Sequence, residues 1–381
     1  MSALLKLPPL SLYVHIPWCL QKCPYCDFNS HEFDGELPET QYVDALLEDL
    51  ARDLEYVQQR PLHSIFFGGG TPSLFSAEAI ERILSACKKQ IGFERNIEIT
   101  LEANPGTFEQ DRFANYRAVG INRLSIGIQS FQAAMLSKLG RVHDEREALS
   151  AAEIALAAGF ENFNLDLMFG LPGQSLELAM TDLKQALALQ PTHISWYQLT
   201  LEPNTVFYKH PPKLPKPDLI DRIQDAGIAL LDEAGYQRYE ISAFSRHGKQ
   251  AKHNLNYWHF GDYLGIGAGA HGKITRTLQS QIIRTRKIRQ PKAYLAQESV
   301  LNADISEIAE SDLALEYMMN VLRLVQGSDL EEFESRTGLP RSRIMQTLAR
   351  LQEQKLLQTE GIVTSPKGMN LLNNVLQAFI N

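Results

Sequence analysis

Short apolar blocks alternate along the chain with longer stretches whose apolar positions fall three and four apart. The blocks Leu12–Ile16, Ser64–Phe67, Ile97–Glu102, Arg123–Gln129, Phe163–Phe169 and His193–Leu199 read as strands. The stretches Glu39–Val57, Ala77–Ile91, Glu109–Val119, Glu145–Ala158, Leu176–Leu189 and Leu219–Glu233 read as amphipathic helices. Several of these helices run into a glycine, at Gly92, Gly120, Gly159 and Gly235, as expected just past a helix C-terminus. Successive βα units imply a parallel sheet with right-handed crossovers. The strand blocks are apolar on both faces, which suits a sheet that curls on itself. Six units fall short of the eight of a full barrel, so the expected α/β architecture is an incomplete (β/α)6 barrel with a wide mouth.

The pattern changes after Gly235. Tyr236–Phe244 reads as one strand, followed by His253-Asn-Leu-Asn-Tyr-Trp258 and then a glycine-rich stretch from Tyr263 to Gly272. That stretch partly mimics a dinucleotide-binding glycine motif, but no βα unit with a trailing acid supports it, and the reading is rejected. From about Ser311 the pattern is helical: Asp312–Val325, Leu330–Arg336 and Arg341–Gln354, then a short hairpin Leu357–Thr364 and a last helix Lys367–Phe379. Helices followed by a small β wing suggest a winged-helix-like module. The expected divisions are 1–235 for the barrel, 236–300 for an extension of it and 301–381 for the helical module.

Polar residues of unusual type gather at the C-terminal ends of the strand blocks. The first block ends at Cys19, Cys23 and Cys26; the second ends in Gly68-Gly69-Gly70-Thr71-Pro72. The third ends in Glu102-Ala-Asn-Pro105 and the fourth in Gln129-Ser130; the fifth carries Asp166, and the sixth ends in Thr200-Leu-Glu-Pro203. In βα barrels this rim is where active sites are built. One polar strand end is ordinarily a helix cap, whereas six in register point to a site.

The spacing C-x-x-x-C-x-x-C lets one loop turn three thiolates toward a compact metal centre. Three thiolates on a four-iron cluster leave one iron without a protein ligand, an open position where chemistry can occur. Zinc held by the three cysteines with His15 or His31, or a disulfide between two of them, are the competing readings. A disulfide is disfavoured by four cysteines in 381 residues and by an N-terminus too short for a signal peptide, and zinc by the lack of a second ligand pair nearby. Cys87 sits mid-helix and reads as a core residue.

Composition adds limits. The formal net charge is −8, which disfavours a general nucleic-acid binder; Arg341 and Arg343 make only a thin basic footprint on the helical module. Seven Lys or Arg residues and no acid fall between Lys273 and Lys292. They read as a solvated strand face, with an anionic partner such as a membrane surface or heme propionates as the alternative. No run approaches the length of a transmembrane helix, and the expected location is the cytoplasm.

The cysteine loop together with Gly68–Pro72 resembles the radical S-adenosylmethionine (SAM) superfamily, over the chain from about Leu12 onward. Tyr13-Val-His-Ile-Pro-Trp-Cys19, Gly68-Gly-Gly-Thr-Pro72, Asn122-Arg-Leu-Ser-Ile-Gly-Ile-Gln129 and Asn164-Leu-Asp-Leu-Met-Phe-Gly-Leu-Pro172 resemble, more narrowly, the oxygen-independent coproporphyrinogen III oxidase group. The resemblance implies a [4Fe-4S] cluster on Cys19, Cys23 and Cys26 whose open iron is chelated by SAM, with electron transfer cleaving the sulfonium to a 5′-deoxyadenosyl radical. It implies SAM contacts from Tyr13, Gly69, Glu102, Gln129, Arg141 and Asp166. A second SAM is implied near Tyr25, Gly70, Thr71 and His271. The residue types suit these roles: side-chain-free backbone at the glycines, acceptors at Glu102 and Asp166, and a bidentate carboxylate partner at Arg141.

One departure separates subfamilies. The decarboxylase carries a further cysteine two residues after the third ligand, where this chain has Phe28, and an N-terminal extension before its Tyr-Val-His-Ile-Pro motif. His253-Asn-Leu-Asn-Tyr-Trp258 resembles instead the H-N-x-x-Y-W motif of HemW-type heme chaperones. That resemblance implies heme binding with His253 as a candidate ligand and Tyr257 and Trp258 packing on the macrocycle. It implies transfer of heme to acceptor hemoproteins such as cytochromes, without coproporphyrinogen dehydrogenase activity. Homodimerisation and association with a membrane surface are further candidate interactions.

Overall fold

The computed structural model describes residues 4–33, 35–106, 112–141, 143–296 and 302–380. Six parallel strands form the barrel wall: β1 (Leu10–Ile16), β2 (Leu62–Gly69), β3 (Phe93–Ala103), β4 (Arg123–Gln129), β5 (Phe163–Phe169) and β6 (His193–Gln198). They pair in chain order, each with the next. Every residue of β1 except Tyr13 is buried, and β5 is buried except at Asp166, because helices cover the outer face while side chains fill the inner one. Helix Glu145–Ala157 buries Ala148, Ala151, Ala152 and Ala155, one stripe of small residues that lets it lie close against the sheet. The expected helix Glu109–Val119 is described only from its second half, as Phe113–Ala118; residues 109–111 lie outside the described chain.

The barrel strands are the middle of a twelve-stranded sheet. On one side β6 is followed by β7 (Gln237–Glu240) and β8 (Ala243–Ser245), with β8 paired antiparallel to β6 and β7 antiparallel to β8. The expected single strand Tyr236–Phe244 is therefore a hairpin. It breaks at Ile241 and Ser242, where Glu240 turns its carboxylate back to accept from the Ser242 N–H at 3.0 Å. On the other side β9 (Asp262–Ile266) runs parallel to β1, and β10 (His271–Arg276), β11 (Gln281–Lys287) and β12 (Asn302–Glu307) continue antiparallel. The glycine-rich stretch is the β9–β10 turn, a strand–turn–strand with no helix.

The basic stretch 273–292 is not a solvated face. Lys273 is buried and pairs with Asp262 at 3.0 Å, and Lys287 is buried between Asp49 at 2.6 Å and Asp53 at 2.9 Å. Arg284 pairs with Glu316, and Arg286 with Asp304. A buried lysine is tolerated only when its charge is met; Lys273 is met from the adjacent strand β9, and Lys287 from residues more than 200 positions earlier in the chain.

Residues from Ile308 onward build a second core around Tyr317, Val321, Phe333, Ile344, Leu348 and Ile362. Its helices are Glu310–Val321, Leu330–Thr337 and Ser342–Glu353. A wing follows, with Leu357 bridged to Thr364 and Ser328 to Ile362, so the helical-plus-wing expectation holds. The last helix is two pieces, Pro366–Asn370 and Leu372–Gln377. They are separated by Leu371, whose φ of −112° and ψ of 30° leave the helical region. Arg341 and Arg343 face Glu334 and Glu310. Among the described residues no helix is long and apolar enough to cross a membrane.

Candidate radical SAM site

The C-terminal ends of the barrel strands surround a cavity of about 580 Å³. Cys19, Cys23 and Cys26 line one side, with Tyr25 and Phe28 beside them. Gly69, Gly70 and Thr71 line the next wall, and Glu102, Gln129, Arg141 and Asp166 the walls beyond. Residues from five strand ends and one loop thus meet in one space, as their placement along the sequence required.

The glycine loop is built for close approach. At Gly69, φ of +118° favours a residue without a side chain, and a Cβ there would lie 2.5 Å from the His15 ring. At Gly70 a Cβ would lie 2.5 Å from the carbonyl oxygen of Trp18. The Gly70 and Thr71 N–H groups donate to the Ile16 and Trp18 carbonyls, both at 2.7 Å, which ties the loop to the start of the cysteine segment.

The acids sit deep. Glu102 accepts from the Gly69 N–H at 3.2 Å. Burial, followed by the nearby Asp166 charge, pushes its carboxyl up to about 8. Asp166 is also raised by burial, against the opposing pull of hydrogen bonds from Asn164 and Ser125, both 2.9 Å. Two enclosed carboxyls on the cavity wall are acceptors suited to a ligand bearing hydroxyls or an ammonium. Gln129 adopts a left-handed φ of +67°, and Tyr197 donates to its Oε1 at 2.8 Å. Asp182 holds the following turn by accepting from Ser130 Oγ and the Phe131 N–H.

Arg141 connects the two halves of the site. Its Nη2 donates to Asn104 Oδ1 at 2.8 Å and Gly127 O at 2.7 Å, while Nη1 lies 3.6 Å from Cys23 Sγ. Its Nε, although buried, has no partner among the described residues, an unused donor beside the thiols. Burial raises the Cys19 thiol to about 11 and also raises Cys26, so these thiols want a cation to stabilise their ionised form.

The donor set fits a cluster better than a single ion. Among the described residues no three His, Cys, Asp or Glu side chains converge closely enough for one metal, whereas a cluster needs each thiolate on a different iron. His15, one of the two candidate histidine ligands for zinc, has both ring nitrogens engaged. His15 is engaged by Tyr13 OH at 3.0 Å and the Asn29 carbonyl at 2.9 Å, and His31 by Asn29 Oδ1 at 3.3 Å.

Two of the residues implied for SAM stand apart from the cavity lining. Tyr13 lies behind the wall, bonded to His15, and His271 is exposed at the start of β10. The three residues implied for heme share one helix, Lys252–Trp258, which packs across β1, β2 and β9. His253 is turned inward. Its Nδ1 lies 3.1 Å from Ser64 Oγ, its ring 5.1 Å from that of Phe66, and burial lowers it to about 3. Trp258 lines the cavity, and Tyr257 packs on Trp258 and Tyr263. Sequence reasoning missed Asn104, Tyr197, Glu240 and Ser242, all lining the cavity. Asn104 alone carried a signal, standing at a strand end two residues after Glu102.

A parallel βα barrel with three thiols on the first strand's loop and a glycine wall on the second defines a radical SAM protein. The Radical SAM superfamily model matches residues 13–186, and the HemN C-terminal domain model matches residues 308–371. The solved structure of coproporphyrinogen III oxidase (HemN) from Escherichia coli, a radical SAM enzyme, superposes with a TM-score of 0.82 at 26% identity, covering 98% of this chain and 91% of that one. Among named relatives, heme chaperone HemW of Haemophilus influenzae is 51% identical, covering 98% of this chain and 99% of its own. Heme chaperone HemW of Escherichia coli is also 51% identical, with 88% of each chain covered. The chain belongs to the HemW family.

Proposed function

We propose that this protein is a heme chaperone of the cytoplasm: it binds heme and passes it to acceptor hemoproteins such as cytochromes. In this reading it carries a [4Fe-4S] cluster on Cys19, Cys23 and Cys26, with SAM on the open iron. The observation that carries the proposal is 51% identity along nearly the whole chain to a protein named for that task. When bound, the cluster and SAM supply one-electron chemistry or an assembly switch at the cavity. The chain's own part is to seat SAM between the glycine wall and Glu102, Asp166 and Arg141, and to keep the cluster loop in register through Arg141. A homodimer and contact with a membrane surface belong to the same reading as routes for handing heme on.

Phe28 supports this reading over decarboxylation. It is 59% exposed and lines the cavity beside the thiols, where the oxidase group has a further cysteine. The likeness to HemN keeps a second reading alive, an oxygen-independent coproporphyrinogen III dehydrogenase. Anaerobically reconstituted protein is expected to bind hemin stoichiometrically and to form no protoporphyrinogen from coproporphyrinogen with SAM and reductant. Absence of saturable hemin binding removes the chaperone reading, and product formation establishes the second.

A further inference from the structure

Three buried polar atoms without hydrogen-bond partners fall at one place, where β7, helix Lys252–Trp258 and the C-terminal unit meet. They are Trp258 Nε1, Arg323 Nε and Glu240 Oε2. Leaving a buried donor or acceptor unpaired is costly, and three together mark a place prepared for something else. The Arg323 guanidinium lies over the Trp258 indole, 4.5 Å from its ring centroid. Its Nη2 is 3.9 Å from Glu240 Oε2, beyond hydrogen-bond reach. The backbone holds Arg323 there: Leu324 bridges to Glu240, and the Val325 N–H donates to the Tyr239 carbonyl at 3.0 Å.

The cluster stands between two spaces. Trp258 and Glu240 line the site cavity, Arg323 lines a second cavity of about 470 Å³, and Ser242 lines both. An acceptor with two oxygens would meet the Arg323 and Trp258 donors together, as carboxylates do. Burial raises the Glu240 carboxyl above the ordinary carboxylate value, against the pull of Arg323 and the Ser242 N–H, and Arg323 offsets the charge that Glu240 would present to such a group.

We propose that Arg323 and Trp258, with Glu240 beside them, form a receiving site for a carboxylate of a tetrapyrrole lying across the two cavities, a propionate in the case of heme. This rests on the heme reading above and names the part of the ligand that is held. It also makes the C-terminal unit part of the binding wall, since Arg323 comes from that unit.

The test uses the full-length reconstituted protein with ¹⁵N-labelled indoles. The chain has three tryptophans, and Trp258→Phe assigns the resonance of interest. The probes are metal-free mesoporphyrin and its dimethyl ester. The diacid is expected to shift the Trp258 indole N–H and the ester to leave it in place. Arg323→Met is expected to weaken the diacid about tenfold and to leave the ester unchanged. Trp258→Phe keeps the ring stack and removes the donor; it is expected to weaken the diacid while melting like the wild type. Equal responses to acid and ester, no response to either, or unchanged diacid affinity in both variants overturns the proposal. A diacid response in a protein that fails to take up hemin removes the heme reading and leaves the carboxylate site standing. Hemin uptake with no diacid response does the reverse.

Discussion

The guanidinium of Arg141 reaches the thiol of Cys23, with 3.6 Å between Nη1 and Sγ. A residue 118 positions further along the chain thus steadies the cysteine loop. With Cys23 a cluster ligand as proposed, a partner of this kind typically contributes 10–100-fold to metal affinity or activity. Arg141→Lys keeps the charge but loses the fork that spans Cys23, Asn104 and Gly127. Iron should then leave the reconstituted protein faster under a chelator, and SAM affinity should fall by at least about tenfold. Iron retention and SAM affinity equal to the wild type would show that the contact is incidental.

The three thiols should act as a unit. Cys19→Ala, Cys23→Ala and Cys26→Ala should each bring iron and sulfide in anaerobically reconstituted protein from about four per chain to near zero. Cys87→Ala, which alters a buried core position of the helix Ala77–Gln90, should leave iron content unchanged. A single-cysteine variant that keeps a full cluster would mean that the fourth ligand comes from elsewhere in the chain.

Glu102 makes stability depend on pH in a direction opposite to that of most carboxylates. Its folded value of about 8 lies above the ordinary 4.5. Between these values the folded protein holds a proton that the unfolded chain has released. The contribution of Glu102 to the stability of the ligand-free protein is therefore full below about pH 4.5 and is lost as pH rises through about 8. Glu102→Gln removes this dependence. The variant should gain on the wild type by on the order of 3–4 kcal/mol between pH 5 and 8, read from urea midpoints. A gap that stays constant across that range would rule out a protonated Glu102.

Gly70→Ala places a methyl 2.5 Å from the Trp18 carbonyl oxygen, and a backbone atom cannot swing aside. The loop must shift, at a cost of about 1–3 kcal/mol. The shift moves the glycine wall away from the thiols, so SAM binding, measured by calorimetry, should fall more than global stability does.

Lys287→Met leaves Asp49 and Asp53 buried with their shared cation gone. Breaking one side of a buried pair costs roughly 3–5 kcal/mol, and a loss of that size should appear in the thermal or urea transition. A near-neutral variant would mean that water enters to solvate the acids.

That lysine also shows where sequence reading stops. The barrel strands and their helices are legible because each apolar block must be covered on both faces, a local property of the block. The rim is legible because polar residues at consecutive strand ends have one shared position in a βα fold. Lys273 and Lys287, by contrast, look like a surface charge run. Their partner carboxylates include Asp49 and Asp53, more than 200 residues away in sequence, and nothing within the run marks them. His253 likewise carries no hint that its ring turns inward against Phe66. The cluster of Glu240, Trp258 and Arg323 joins three separate segments, and only the folded chain brings them together.

The position of β1 in the sheet bears on how the chain is made. Its neighbours are β2, which follows within sixty residues, and β9, at Asp262–Ile266. During synthesis the first strand, with the cysteine loop at its end, has an unpaired edge until about 260 residues have been translated. Such long-range pairing folds slowly, and an open apolar edge is a template for association with other chains.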